Sequence, residues 1–205
     1  MSTPDAAQQP SAASITPHTG KLGIMIPGMG AVATTLIAGV EAVRRGFAKP
    51  IGSMSQMGTI RLGKRTDDRT PLIKDFAPLA PLEDLVFTGW DIFGGNLYDA
   101  AKTAQVLDRD QLDSMRPFLE SIEPMPAAFD QRWVKRLDPK VQKIGKNKCD
   151  LANQIRNDIA EFKTKTDRQV MIWCGSTEIY LEQTAVHQTL EAFEQGLVDL
   201  SLIHI

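Results

Sequence analysis

Apolar residues fall along this chain in alternating patterns, short continuous runs followed by segments with a three- and four-residue repeat. Leu22 to Ile26 form a short apolar run, Gly28, Met29 and Gly30 follow, and Val32, Leu36, Ile37, Val40 and Val43 then recur at helical spacing. This predicts a strand, a glycine turn and a helix that ends at Gly46, with Arg44 and Arg45 complementing the C-terminal dipole. A loosely alternating stretch predicts a second strand around Ser53 to Leu62. Leu85 to Phe87 open a buried strand that delivers Trp90 and Asp91 to its carboxyl end, and Gly94 and Gly95 turn into a helix from about Leu97 to Leu107. A further helix, Asp108 to Ile122, carries Leu112, Met115, Leu119 and Ile122 on one face and Asp108 as N-cap.

Beyond Pro124 and Pro126 the chain is irregular and basic, with Arg132, Lys135, Arg136, Lys140, Lys143, Lys146 and Lys148 its densest positive charge. A long amphipathic helix is predicted from about Lys148 to Lys165, with Leu151, Ile155, Ile159 and Phe162 on one side. Gln169 to Cys174 then read as a parallel strand buried on both faces, leading into Gly175, Ser176 and Thr177, and a last helix spans Thr184 to Gly196. Strands alternating with helices imply an α/β protein with a mostly parallel, Rossmann-like sheet.

Composition alters this picture little. At 205 residues the chain can bury one sizeable core, perhaps one domain and part of another. Its net charge of -2 gives no overall signal for nucleic acid or membrane, and no apolar run approaches the roughly 20 residues that span a bilayer. Two cysteines, Cys149 and Cys174, make neither a disulfide framework nor a spaced metal site, so a cytoplasmic setting is the default. Met1 to Gly20, rich in Ala, Ser, Pro, Thr and Gln, reads as a disordered leader. The last six residues, Leu200 to Ile205, resemble the in-frame translation of a transposon-end adapter and read as a non-native tail, leaving residues 21–199 as the folded domain.

The candidate chemistry centres on the glycine turn. Gly28, Gly30 and Ala33 fit G-x-G-x-x-A, in which the first glycine makes the tight turn and the second lets backbone N–H groups approach a pyrophosphate at the positive end of a helix. The acid expected about 20 residues further on to hold a ribose is missing, because Gly52, Ser53, Met54 and Ser55 stand there. Either the ribose is held differently or no such cofactor binds. Gly58 to Lys64 imitate a P-loop, but Arg65 replaces the magnesium-binding hydroxyl, so Arg61, Lys64 and Arg65 form a basic loop open to solvation or to phosphate. Asp108, Asp110 and Asp113 read as acids at a helix N-terminus rather than a metal cluster. Ser176 lacks a nucleophile-elbow setting and Cys174 reads as a buried strand-end residue, so neither supports nucleophilic catalysis.

PGMGAVATTLIAGVEAVRRG, KPIGSMSQMGTIRLGKR, GWDIF and QVMIWCGSTE, in that order, resemble the inositol-3-phosphate synthase family, also called myo-inositol-1-phosphate synthase, and most closely its bacterial branch. The resemblance implies an NAD-dependent isomerase converting glucose 6-phosphate to 1D-myo-inositol 3-phosphate. It implies that Gly28, Met29, Gly30, Ala31, Val32 and Ala33 face the NAD pyrophosphate, Asp91 the adenosine ribose, and Gly175, Ser176 and Thr177 another part of the cofactor pocket. It also places the family's catalytic lysines and tetramerising sheet beyond this chain, so that no catalytic residue and no metal ligand is expected here, the full-length protein is a homotetramer, and the fragment alone is inactive. Cys174, Gly175 and Ser176 depart from the family's Thr, Ala and Asn in that segment. Two alternatives stand beside it: a noncatalytic nucleotide-binding module, and an NADP-dependent reductase that holds the 2′-phosphate with Arg61, Lys64 or Arg65.

Overall fold

A computed structural model describes residues 20–131, 135–166, 169–173 and 188–198. Met1 to Thr19 of the expected leader, Cys174 to Thr177 and the expected tail lie outside the described residues. The chain divides into two compact units, one formed by Ile51–Ala80 among the described residues and the other by Gly20–Pro50 together with the chain from Pro81 onward.

The larger unit is built on a parallel sheet. Strand β1 (Leu22–Pro27) leads into helix α1 (Ala31–Arg44). In the smaller unit come two single turns of helix, α2 (Met54–Met57) and α3 (Ile73–Phe76). Strand β2 (Leu85–Asp91), helices α4 (Leu97–Ala104), α5 (Arg109–Ser114) and α6 (Arg116–Glu120), and the short strand β3 (Met125–Pro126) follow. Helix α7 (Lys148–Thr166), strand β4 (Gln169–Ile172) and helix α8 (Leu190–Val198) complete the order. The described strands lie in the order β3-β2-β1-β4, all parallel, with Leu22 opposite both Leu85 and Gln169. This is the doubly wound arrangement, in which the order reverses beside β1 and opens a crevice at the carboxyl ends of the strands.

Side-chain alternation along β1 explains how the sheet is covered. Ile24 and Ile26 face the main core, where they meet Ala33 and Ile37 of α1, Leu97 and Ala101 of α4, and Leu112, Met115, Leu119 and Ile122. Gly23 faces the opposite side, where the ring of Phe162 on α7 occupies the space a Cβ would need. On β2, Phe87 joins the main core and Trp90 points to the α7 side. Gly89 is bare because a Cβ there would run into the Ile26 carbonyl oxygen and lie 2.7 Å from the Met29 sulfur.

Helix α1 buries a different stripe from the one its apolar spacing suggests. Ala33, Thr34, Ile37, Ala38 and Glu41 are inside, whereas Val32 is 57% exposed. Glu41 tolerates burial because Arg45 and Arg44 both pair with it, at 2.7 and 3.4 Å. The helix ends at Gly46 as expected, with φ +74 and a complete Schellman closure: Gly46 N–H donates to Val43 (3.0 Å) and Phe47 N–H to Ala42 (2.8 Å).

Other expectations are corrected. Ser53–Leu62 is not one strand: Met54–Met57 wind into a helical turn closed by Met57 N–H to the Ser53 carbonyl (3.0 Å), and only the end of the segment pairs, with Ile60 N–H donating to Pro71 (3.0 Å) and Leu62 N–H to Arg69 (2.9 Å). The predicted Asp108–Ile122 helix breaks at Met115, because Pro117 has no N–H to continue the ladder, yet its apolar face is buried as predicted. Asp108 is the N-cap residue of α5, and Gln111 Oε1 reaches back to accept its N–H at 3.2 Å. Residues 169–172 form an edge of the described sheet, so Met171 and Ile172 are not buried on both faces.

Glycine substitutions test this packing in equilibrium urea unfolding. Gly89→Ala is expected to cost about 1–3 kcal/mol, since a backbone carbonyl must move, and Gly23→Ala less, since an aromatic ring can tilt. Gly39→Ala, in the exposed interior of α1 with nothing within 4 Å, should stabilise by about 0.4–1 kcal/mol.

Candidate functional site

A cavity of about 740 Å³ opens at the carboxyl ends of β1 and β2, in front of the α1 N-terminus. Gly28, Gly30, Ala31, Val32 and Ala33 form one wall, and Trp90, Asp91, Ile92 and Phe93 form another. The structure therefore brings together every described residue of the expected site except Met29. That side chain is fully buried in the core beneath Gly89 and does not reach the cavity. Gly175, Ser176 and Thr177 fall outside the described residues, just beyond β4.

The turn has a specific geometry. Gly28 adopts φ +85, a conformation open to glycine, and its N–H donates to the Trp90 carbonyl at 2.8 Å. Gly30 is the N-cap of α1, and a Cβ built on it would meet nothing within 4 Å, so the space ahead of the helix is open. No side chain caps that end, and the first turn carries no acid. Its backbone N–H groups and the helix dipole thus point into the cavity, which suits an anionic group such as a pyrophosphate.

Asp91 holds this arrangement. Its Oδ2 accepts from Met29 N–H at 2.7 Å, and its Oδ1 from Ile92 N–H at 2.7 Å and Phe93 N–H at 3.0 Å. One carboxylate thereby ties the glycine turn to the end of the neighbouring strand. Of the roughly four acceptor positions on a carboxylate, one on Oδ2 remains for a ligand hydroxyl. Asp91 stands at the end of the second strand, where a fingerprint acid lies in a fold of this kind. A spacing of about 20 residues presumes that the second strand follows the first helix directly, whereas the unit Ile51–Ala80 is inserted between them. Asp91 therefore arrives 62 residues after Met29, at the end of β2.

The rest of the lining was not legible as a site. Ala127, Ala128, Phe129 and Leu137 come from the segment read as an irregular basic connection. It is a strap over the ends of β2 and β3: Lys140 and Val141 N–H both donate to the Ile92 carbonyl (2.7 and 2.9 Å), and Lys143 N–H donates to Ala127 (2.8 Å). Several of its lysines pair internally, Lys148 with Asp130 at 3.1 Å, Lys143 with Asp158 at 2.8 Å and Lys140 with Asp138 at 3.0 Å. Ile155 and Ile159, expected as core residues of α7, face the cavity, as does Trp173. Only contacts between distant segments reveal these roles.

The other candidates are local structure. In the P-loop imitation, Gly63 turns with φ +82 and Lys64 N–H donates to Asp67 Oδ2 at 2.9 Å, closing a tight turn whose Arg61, Lys64 and Arg65 are exposed. Asp113 accepts from the Tyr98 hydroxyl at 2.6 Å, a hydrogen bond that raises the phenol above its usual range. Among the described residues no group of His, Cys, Asp or Glu could hold a metal ion, and no helix is long and apolar enough to cross a membrane.

Comparison with known proteins points to one family. A family model described as myo-inositol-1-phosphate synthase, an NAD-binding domain, matches residues 22–201. An inositol-3-phosphate synthase from Bacteroides thetaiotaomicron is 45% identical over 188 residues, 90% of this chain and 43% of that protein. Isozyme 1 from Arabidopsis thaliana is 34% identical over 179 residues, 78% of this chain and 34% of the relative. The chain thus spans less than half the length of these relatives. The crystal structure of the Caenorhabditis elegans inositol-3-phosphate synthase superposes with a TM-score of 0.73 at 24% identity, over 89% of this chain and 39% of that one, and shows the same fold.

Replacing Asp91 tests the clamp. Asp91→Asn leaves a single side-chain oxygen for three backbone donors on two sides of the carboxyl group, so unfolding free energy should fall by about 1–3 kcal/mol. Hydrogen exchange at the Met29 amide should rise more than at amides of α4, and unchanged exchange there would remove Asp91 from this role.

Proposed function

The chain belongs to the myo-inositol-1-phosphate synthase family, and we propose that it supplies the cofactor-binding part of an isomerase that converts glucose 6-phosphate to 1D-myo-inositol 3-phosphate. The observation that carries this reading is the family match over residues 22–201, which spans the open glycine turn and the Asp91 clamp. NAD, when bound, supplies an oxidation and a later reduction at the sugar and ends unchanged.

This chain's residues bind and orient. The N–H groups of Gly30, Ala31, Val32 and Ala33 receive the pyrophosphate at the α1 N-terminus, where no side chain of the first turn competes. Asp91 accepts a ribose hydroxyl at the position its backbone partners leave open. Gly175, Ser176 and Thr177, which follow β4 in sequence across the reversal of strand order from β2, complete the cofactor pocket. Phe129 and Leu137 of the strap and Ile155 and Ile159 of α7 exclude water from the bound dinucleotide. No residue of this chain is assigned to proton transfer or ring closure. The full-length protein is read as a cytoplasmic homotetramer, acting in inositol and phospholipid biosynthesis without nucleic-acid or membrane partners.

Calorimetric titration of NAD⁺ into the purified chain tests the reading. Saturable binding is expected, with an affinity loss of about 100-fold or more in Gly30→Val, whose side chain enters the space in front of the helix. Lys64→Ala should bind as the parent does, and NADP⁺ more weakly than NAD⁺. Equal affinity in Gly30→Val would overturn the assignment, and a preference for NADP⁺ lost in Lys64→Ala would favour a reductase.

A further inference from the structure

Three walls of the cavity meet at one carboxylate that does not itself line it. Asp158 Oδ2 accepts from the Trp90 indole N–H at 2.7 Å and from Lys143 Nζ at 2.8 Å. The side chains of Asp158 and Lys143 are only 18% and 11% exposed, and Trp90 is 4% exposed, so these contacts are largely shielded from water. Each partner belongs to a different wall. Trp90, the penultimate residue of β2, lines the cavity and accepts the Gly28 N–H on its own carbonyl. Asp158 sits on α7 between Ile155 and Ile159, which both face the cavity. Lys143 anchors the strap through its N–H to Ala127, and the strap contributes Ala127, Phe129 and Leu137.

We propose that Asp158 is a positioning residue for the dinucleotide cleft, fixing its width by holding Trp90, α7 and the strap at a single point. The proposal rests on the dinucleotide reading of the cavity. A carboxylate shared by two donors away from water is sensitive to loss of either partner, because the remaining groups are left buried and incompletely paired. A purely structural role predicts loss of stability alone, whereas a positioning role predicts coupled losses in cofactor affinity.

The test is NAD⁺ calorimetry on the whole chain with Asp158→Asn, Trp90→Phe, the double variant, Lys143→Met and Lys143→Arg, together with the indole N–H resonance of Trp90, assigned by its loss in Trp90→Phe. Asp158→Asn and Trp90→Phe should each weaken binding about tenfold, and the double variant no more than either alone. Lys143→Met should weaken it while Lys143→Arg restores it, and the indole resonance should move in Asp158→Asn. If Asp158→Asn does not fold, the two Lys143 variants decide between the outcomes. Unchanged affinity in folded variants, or strictly additive losses, would overturn the positioning role while leaving the cofactor assignment intact. A folded parent chain that binds no NAD⁺ would overturn both.

Discussion

Everything at the cavity depends on the register between β1 and β2. Because Pro27 lies opposite Trp90, the residue after each falls at the same level, and the backbone of the glycine turn comes within reach of Trp90 and Asp91. Gly28 N–H finds a carbonyl there and Met29 N–H finds a carboxylate. With those two donors satisfied, the following N–H groups point outward from an uncapped helix. A slip of one residue would send Asp91 to the other face and Trp90 into the main core, losing both the clamp and the α7 contact. Gly89 protects the register from the inside, since only a residue without a Cβ lets Met29 fill the space under the turn.

Much of the fold was legible in the chain because its cues are local. The run from Leu22, the glycine turn, the helix stop at Gly46 and the delivery of Asp91 by a strand all rest on residues close in sequence, and the structure holds each of them. The α5–α6 break was missed although Pro117 announced it, because a continuous apolar face masked the lost N–H. The buried face of α1 includes more than its apolar spacing shows. Glu41 is inside only because Arg44 and Arg45 neutralise it, and an apolar count gives a paired acid no weight.

The site was legible where it is made of backbone and less so where it is made of side chains. Gly28, Gly30 and Ala33 carry their geometry in residue type, and the cavity forms around them. Phe129, Leu137, Ile155 and Ile159 do not, because nothing in their neighbourhoods distinguishes a cavity wall from a core. The basic strap was the most deceptive segment. By charge alone its lysines look solvated or anion-facing, whereas Lys143 and Lys148 are committed to Asp158 and Asp130 within the protein. A charge run reads as a surface until its counterions, which lie elsewhere in the sequence, are known.

The insertion between α1 and β2 has a thermodynamic side. Arg44, in the last turn of α1, donates to the carbonyls of Leu82 and Leu85, so the excursion through Ile51–Ala80 is closed at its base by the larger unit itself. Once such a stem is pinned, the entropy of closing the loop grows only logarithmically, by about 0.6 kcal/mol for each doubling of its length. Chain length is therefore a nearly free variable at this point. Residues added at the exposed turn around Gly63 therefore cost little closure entropy, which makes that turn a natural place to graft a tether or a reporter.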